Sequence, residues 1–117
     1  MSMNMTGRGT AFIVKAGSRA TLQITIKDSS GTAKNLSNNV TYASGKWKVW
    51  KPDGTLHIDG AITFSDRTNG IVTYALSATD ATNAKAGVWE GEVELKDSSN
   101  VISEQTQTFN FTIEESY

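Results

Sequence analysis

His57 is the one histidine in the 117 residues, so a histidine-based triad would need all of its proton chemistry there. It stands between Leu56 and Ile58, close to the turn signal Pro52-Asp53-Gly54. A surface strand histidine is the ordinary reading of that setting. Asp53, Asp59 and Asp66 cluster around the same stretch and form a set of carboxylates that could hold a cation, although acids beside turns usually accept hydrogen bonds from backbone amides. The tetrapeptide Lys-Asp-Ser-Ser occurs twice, at 27–30 and at 96–99. Each copy offers one acid, whereas an EF-hand loop needs several spaced oxygen ligands and a closing glutamate. No glycine-rich phosphate loop appears, and without cysteine there is neither a thiolate zinc site nor a disulfide framework. These residues point to no enzyme, no metal and no cofactor.

The elements that must position these residues are strands. Leu22, Ile24 and Ile26 alternate with Thr21, Gln23, Thr25 and Lys27, the period of two of a strand with one face buried. The rhythm returns in Trp47 and Val49, in Ile62 and Phe64, in Val72, Tyr74 and Leu76, in Trp89, Val93 and Leu95, and in Phe109, Phe111 and Ile113. Turn-forming clusters rich in Asp, Ser, Asn and Gly separate them. The spacing predicts an all-β chain, an immunoglobulin-like antiparallel sandwich of about seven strands. One short helical turn is expected near residues 78–86, where Asp80 follows Ser77 by three and Gly87 closes the segment. A chain of this length buries one core. Residues 1–9 read as a flexible N-terminal arm and residues 10–117 as a single domain. The opening MSMNMTGRGT has no basic start with an apolar run, and no stretch approaches the ~20 apolar residues of a membrane span.

In such a sandwich LQITI and EVEL occupy the second and sixth strands, one in each sheet, running the same way. The doubled Lys-Asp-Ser-Ser is then a pair of turns at one end of the domain. Charge is divided along the chain. Residues 1–51 hold eight Lys or Arg against one Asp, and residues 52–117 hold three against eleven acids. The basic residues are interleaved with apolar ones in KWKVWK, which argues against a nucleic-acid arm. The split is read as strand beside strand, with Lys46 and Lys48 meeting Glu90, Glu92 and Glu94 on the outer face. Trp50 breaks the pattern, because continued alternation puts its indole outside unless a bulge before Pro52 lets the next hairpin cover it.

The succession FIVKAGSRATLQITIKDSSGTAKNLS, WKVWKPDGT, NGIVTYAL and AGVWEGEVELKDSSNVISEQTQTFNFTI resembles the N-terminal domain of the baseplate upper proteins of tailed phages that infect Gram-positive bacteria. The resemblance runs over about residues 10 to 114. It rests on the order of Gly17 and Leu22, the Asp28 to Gly31 turn, Leu36, Val49 with Pro52-Asp53-Gly54, Gly70 and Tyr74, Ala86-Gly87 before Trp89, Gly91 and Leu95, and Phe109 with Phe111. Trp89 departs from it, standing where a tyrosine commonly follows the Ala-Gly pair. The resemblance implies an immunoglobulin-like, non-enzymatic module of a phage or prophage tail or baseplate. It would be made in the host cytoplasm and carried in the virion, helping to attach the host-recognition apparatus. It implies other tail or baseplate proteins as partners, with a homo-oligomer in the particle as a further option, and neither nucleic acid nor membrane.

The alternative is a bacterial cell-surface or carbohydrate-binding β-sandwich, for which Trp50 with Lys48 or His57 would be the aromatic platform. For protein contact the candidates are Trp50, Gln105 and Gln107. The last two lie on a long final strand, residues 101–114, expected to leave a backbone edge open to another chain.

Overall fold

The alternating segments become strands. The computed structural model describes residues 11–28, 30–51, 53–106 and 108–116, so the expected arm at 1–9 lies outside them. The strands are β1 (Ala11–Lys15), β2 (Thr21–Thr25), β3 (Ser44–Trp50), β4 (Leu56–Ala61), β5 (Thr63–Asp66), β6 (Ile71–Ala75), β7 (Gly87–Lys96), β8 (Ile102–Gln105) and β9 (Phe109–Glu114). A 3-10 turn at Asn83–Lys85 is the helical element among the described residues. Two sheets face each other. The larger runs β1-β9-β7-β3-β4 with β8 also beside β7, and the smaller runs β2-β6-β5.

The described residues form nine strands where about seven were expected, for local reasons. The chain changes sheets around Ile62, giving β4 to the larger sheet and β5 to the smaller. The final segment is interrupted at Thr106, whose backbone N–H and Oγ1 bond the carbonyl and amide of Val93. The expected open edge along 101–114 is corrected over its second half only: among the described residues β8 pairs with no strand but β7. β8 and β9 both pair with β7, and β9 is covered on its other side by β1, from Ala11 opposite Asn110 to Lys15 opposite Glu114. This β1–β9 pair is parallel, while the other strand pairs are antiparallel as expected. It carries Phe12 onto the core, where its ring meets Trp47 at 5.2 Å and Phe109 at 5.0 Å. Burial of that side chain drives the closure.

The core lies between the sheets and is built on Trp47 in β3. Its indole is fully buried, stacks on Tyr74 of the smaller sheet at 5.9 Å and meets Phe109 at 5.1 Å. Tyr74 fits because Gly60 in β4 has no side chain: a Cβ there would stand 2.8 Å from the Tyr74 oxygen and closer still to its ring. Trp89 is also buried, as its alternation requires, and pairs with Phe111 across the ladder. It lies beyond Trp47, four residues along β7, since Trp47 is opposite Val93.

The doubled Lys-Asp-Ser-Ser is one turn used twice. Asp28 Oδ1 accepts the amides of Ser30 and Thr32, and Asp97 Oδ1 accepts those of Ser99 and Val101. The fourth residue is left-handed in both, Gly31 at φ 86° and Asn100 at φ 63°, a conformation these two residue types tolerate best. Lys34, just past the first turn, binds Glu104, just past the second, at 2.9 Å. Both turns therefore open at one end of the domain.

Candidate functional site

The outer face of the larger sheet gathers most of the residues singled out above. Along β3 the outward positions are Lys46, Lys48 and Trp50, and along β7 they are Glu94, Glu92 and Glu90, each facing its counterpart directly across the ladder. The ion pairs do not follow that order. Lys48 reaches Glu94 at 3.4 Å, and Lys46 turns to Asp59 on β4 at 3.9 Å. Glu94 also meets Lys96 at 3.9 Å and accepts a hydrogen bond from Gln105 Nε2 at 3.3 Å. Covered by these stems, its side chain is only 6% exposed although it points outward. Glu90 and Glu92 take part in no ion pair among the described residues. Half-burial, with the charge of Glu94 alongside, holds the Glu92 carboxyl above its ordinary range, because both effects disfavour the ionised form.

Trp50 is half-buried on this face, opposite Glu90 on one side and Leu56 on the other. The β3–β4 register shifts between Val49 and Trp50, the irregularity that the alternation called for. This bulge has a second effect. It takes His57 out of the outward row, so that its ring lies 4.8 Å from buried Trp89 and its Nε2 bonds the Asp80 carbonyl. His57 is thus part of the packing at one end of the sandwich and not a plain surface residue. Trp89 is further fixed by donating to the Lys85 carbonyl at 2.9 Å, with the Lys51 ammonium 4.9 Å from its ring centre. The platform of Trp50 with His57 is not assembled; Leu56 stands in its place.

Gln105 is exposed on the same face as Trp50, at the level of Glu94. Gln107 lies outside the described residues. The carboxylates considered for a cation are engaged elsewhere. Asp53 accepts the Thr55 amide at 2.8 Å, Asp66 accepts Asn69 Nδ2 at 2.8 Å, and Asp59 faces Lys46. Among the described residues no group of three or more His, Cys, Asp or Glu could hold a metal ion. Nor is any helix there long and apolar enough to cross a membrane.

Two polar sites escaped the sequence reading. Lys34 and Glu104 form a largely buried pair, their side chains 18% and 5% exposed. Burial opposes the Lys34 charge, yet the hydrogen bond and the charge of Glu104 outweigh it and raise its pKa. Arg67 donates to the carbonyls of Leu36 at 3.0 Å and Tyr42 at 2.8 Å while lying over the Phe64 ring, which pins the long β2–β3 connection. No local signal marks either, since their partners are distant in sequence.

No protein-family model matches the chain, and no curated protein does. Among solved structures it is similar to the N-terminal domain of phage TP901-1 ORF48, with a TM-score of 0.71 at 14% identity, covering 97% of this chain and 94% of that one. It is also similar to CopC from Methylosinus trichosporium OB3b, with a TM-score of 0.51 at 12% identity, covering 92% and 86%. At these identities the likeness is one of fold: a two-sheet β-sandwich spanning nearly the whole of each chain.

Proposed function

We propose that this chain is a non-enzymatic structural module of a phage or prophage tail or baseplate. It acts through protein–protein contact in attaching the host-recognition apparatus, and it resides in the virion after synthesis in the host cytoplasm. The observation that carries the reading is the shared fold with a phage protein's N-terminal domain over 97% of the chain, alongside the order of motifs that resembles baseplate upper proteins. Fold alone does not dictate function. The geometry adds that one sheet face gathers rows of lysine and glutamate, with Trp50 in line after the lysines, and that His57 and the turn carboxylates are occupied by packing and backbone. Partners are then other tail or baseplate proteins.

The test is co-purification of the tagged chain with tail and baseplate proteins encoded beside its gene, together with immunogold labelling of particles. Co-purification with a tail protein and gold at the tail are expected. Association with none of them, or binding to cell-wall polysaccharide in its place, would reject the reading.

A further inference from the structure

We propose that the outer face of the larger sheet is self-complementary and joins two copies of this chain, with β3 of one lying over β7 of the other. The two central strands carry opposite charge in two matching rows, Lys46 level with Glu94 and Lys48 level with Glu92, and in a third row Trp50 on β3 stands level with Glu90 on β7. A twofold axis in the plane of the interface, parallel to the strands and midway between β3 and β7, lays each strand over the other without changing the rows. Lys48 of each copy then faces Glu92 of the other. An axis across the strands would instead set lysine on lysine, so the charge pattern selects one arrangement. Aligned packing at about 30° between the two faces is the ordinary geometry for stacked sheets.

Two observations on the single chain favour this occupant. Glu92 is in no ion pair among the described residues, and the cation that stands level with it is the chain's own Lys48. Trp50 stands opposite exposed Leu56, at 53%, and Val88, at 65%, lies two residues beyond Glu90 on β7, which provides apolar area beside the charged rows. Four strands about 4.8 Å apart and seven residues long cover roughly 450 Å² per copy, less than the ~800 Å² of a standard interface. The dimer is therefore weak in dilute solution and fills when copies are held near one another, as a multi-copy assembly would hold them. The contact involves copies of this chain alone and does not depend on the function proposed above.

Sedimentation equilibrium of the full chain from about 10 µM to about 1 mM, a range that brackets weak association, is expected to show monomer passing to dimer. Lys48→Glu and Glu92→Lys should each weaken dimerisation about tenfold or more by setting like charges together. An equimolar mixture of the two should restore it, because opposite charges then meet at both symmetry-related contacts. Amide shift changes of the wild type over the same concentrations should fall on β3 and β7, a readout that holds even where a variant fails to fold. A wild type that stays monomeric to about 1 mM, shift changes on the smaller sheet, or a mixture of folded variants no more associated than its parts would overturn the proposal.

Discussion

Lys48 passes over Glu92, its direct neighbour across the β3–β7 ladder, and binds Glu94 at 3.4 Å. Glu94 thereby collects two lysines and a glutamine, while Glu92 is left half-buried beside it with a raised pKa.

Glu92→Gln is expected to stabilise the monomer at neutral pH. The folded-state pKa lies above the unfolded value of about 4.5, so the ionised form is disfavoured in the fold and the penalty is present above that value. It fades as pH falls through the folded pKa and the carboxyl takes up its proton. Urea unfolding at micromolar concentration should show a gain at pH 7 that shrinks toward pH 4. A gain independent of pH would mean that charge is not its cause.

Lys34→Met should cost roughly 3 kcal/mol, because it leaves Glu104 buried without its cation. Pairing it with Glu104→Leu should recover much of the loss, since neither charge then needs solvation. The double-mutant cycle in denaturant melts measures this directly; a single variant as stable as wild type would show that the pair contributes nothing.

The twin turns call for opposite outcomes at their matching fourth positions. Gly31→Ala should destabilise by about 1 kcal/mol, since φ 86° strains any residue with a Cβ. Asn100→Gly relieves the milder strain at φ 63° and should fall within about 0.5 kcal/mol of wild type. Thermal melts of both variants, side by side, check the assignment of the two turns to one type.

Trp89→Ala should cost roughly 3–5 kcal/mol by opening a cavity beside Phe111 and His57, enough to unfold a domain of ordinary stability. Trp50→Ala, on the half-buried outer face, should cost far less. Near-equal losses would mean that the register of β7 is shifted by one residue.

Period-two alternation is a local property of the backbone, so the sequence by itself determined that Trp47, Val49, Trp89, Val93, Phe109, Phe111 and Ile113 face inward, that Lys46, Lys48 and the glutamates of β7 face outward, and that two like turns follow β2 and β7. The short helical turn falls inside the expected segment, but Asp80 bonds the Ser77 amide at 2.8 Å in a turn ahead of it, and the helical turn's own N-cap, Thr82, makes no side-chain cap bond. Pairing between distant strands carries no local mark, and only the tertiary structure decided it. AFIVK reads equally well as an edge strand of either sheet, yet packing of Phe12 on Trp47 and Phe109 sets it parallel to β9 and closes the 109–114 part of the edge that 101–114 had been expected to leave open. His57 belongs to the same class. Its neighbours Leu56 and Ile58 suggest a surface position, and the bulge opposite Trp50, a compromise between two strands, turns it onto Trp89. Lys34 and Glu104 find each other across 70 residues for the same physical reason: a buried charge is tolerated where the fold brings its counterion, and that meeting is a property of the packed sheets.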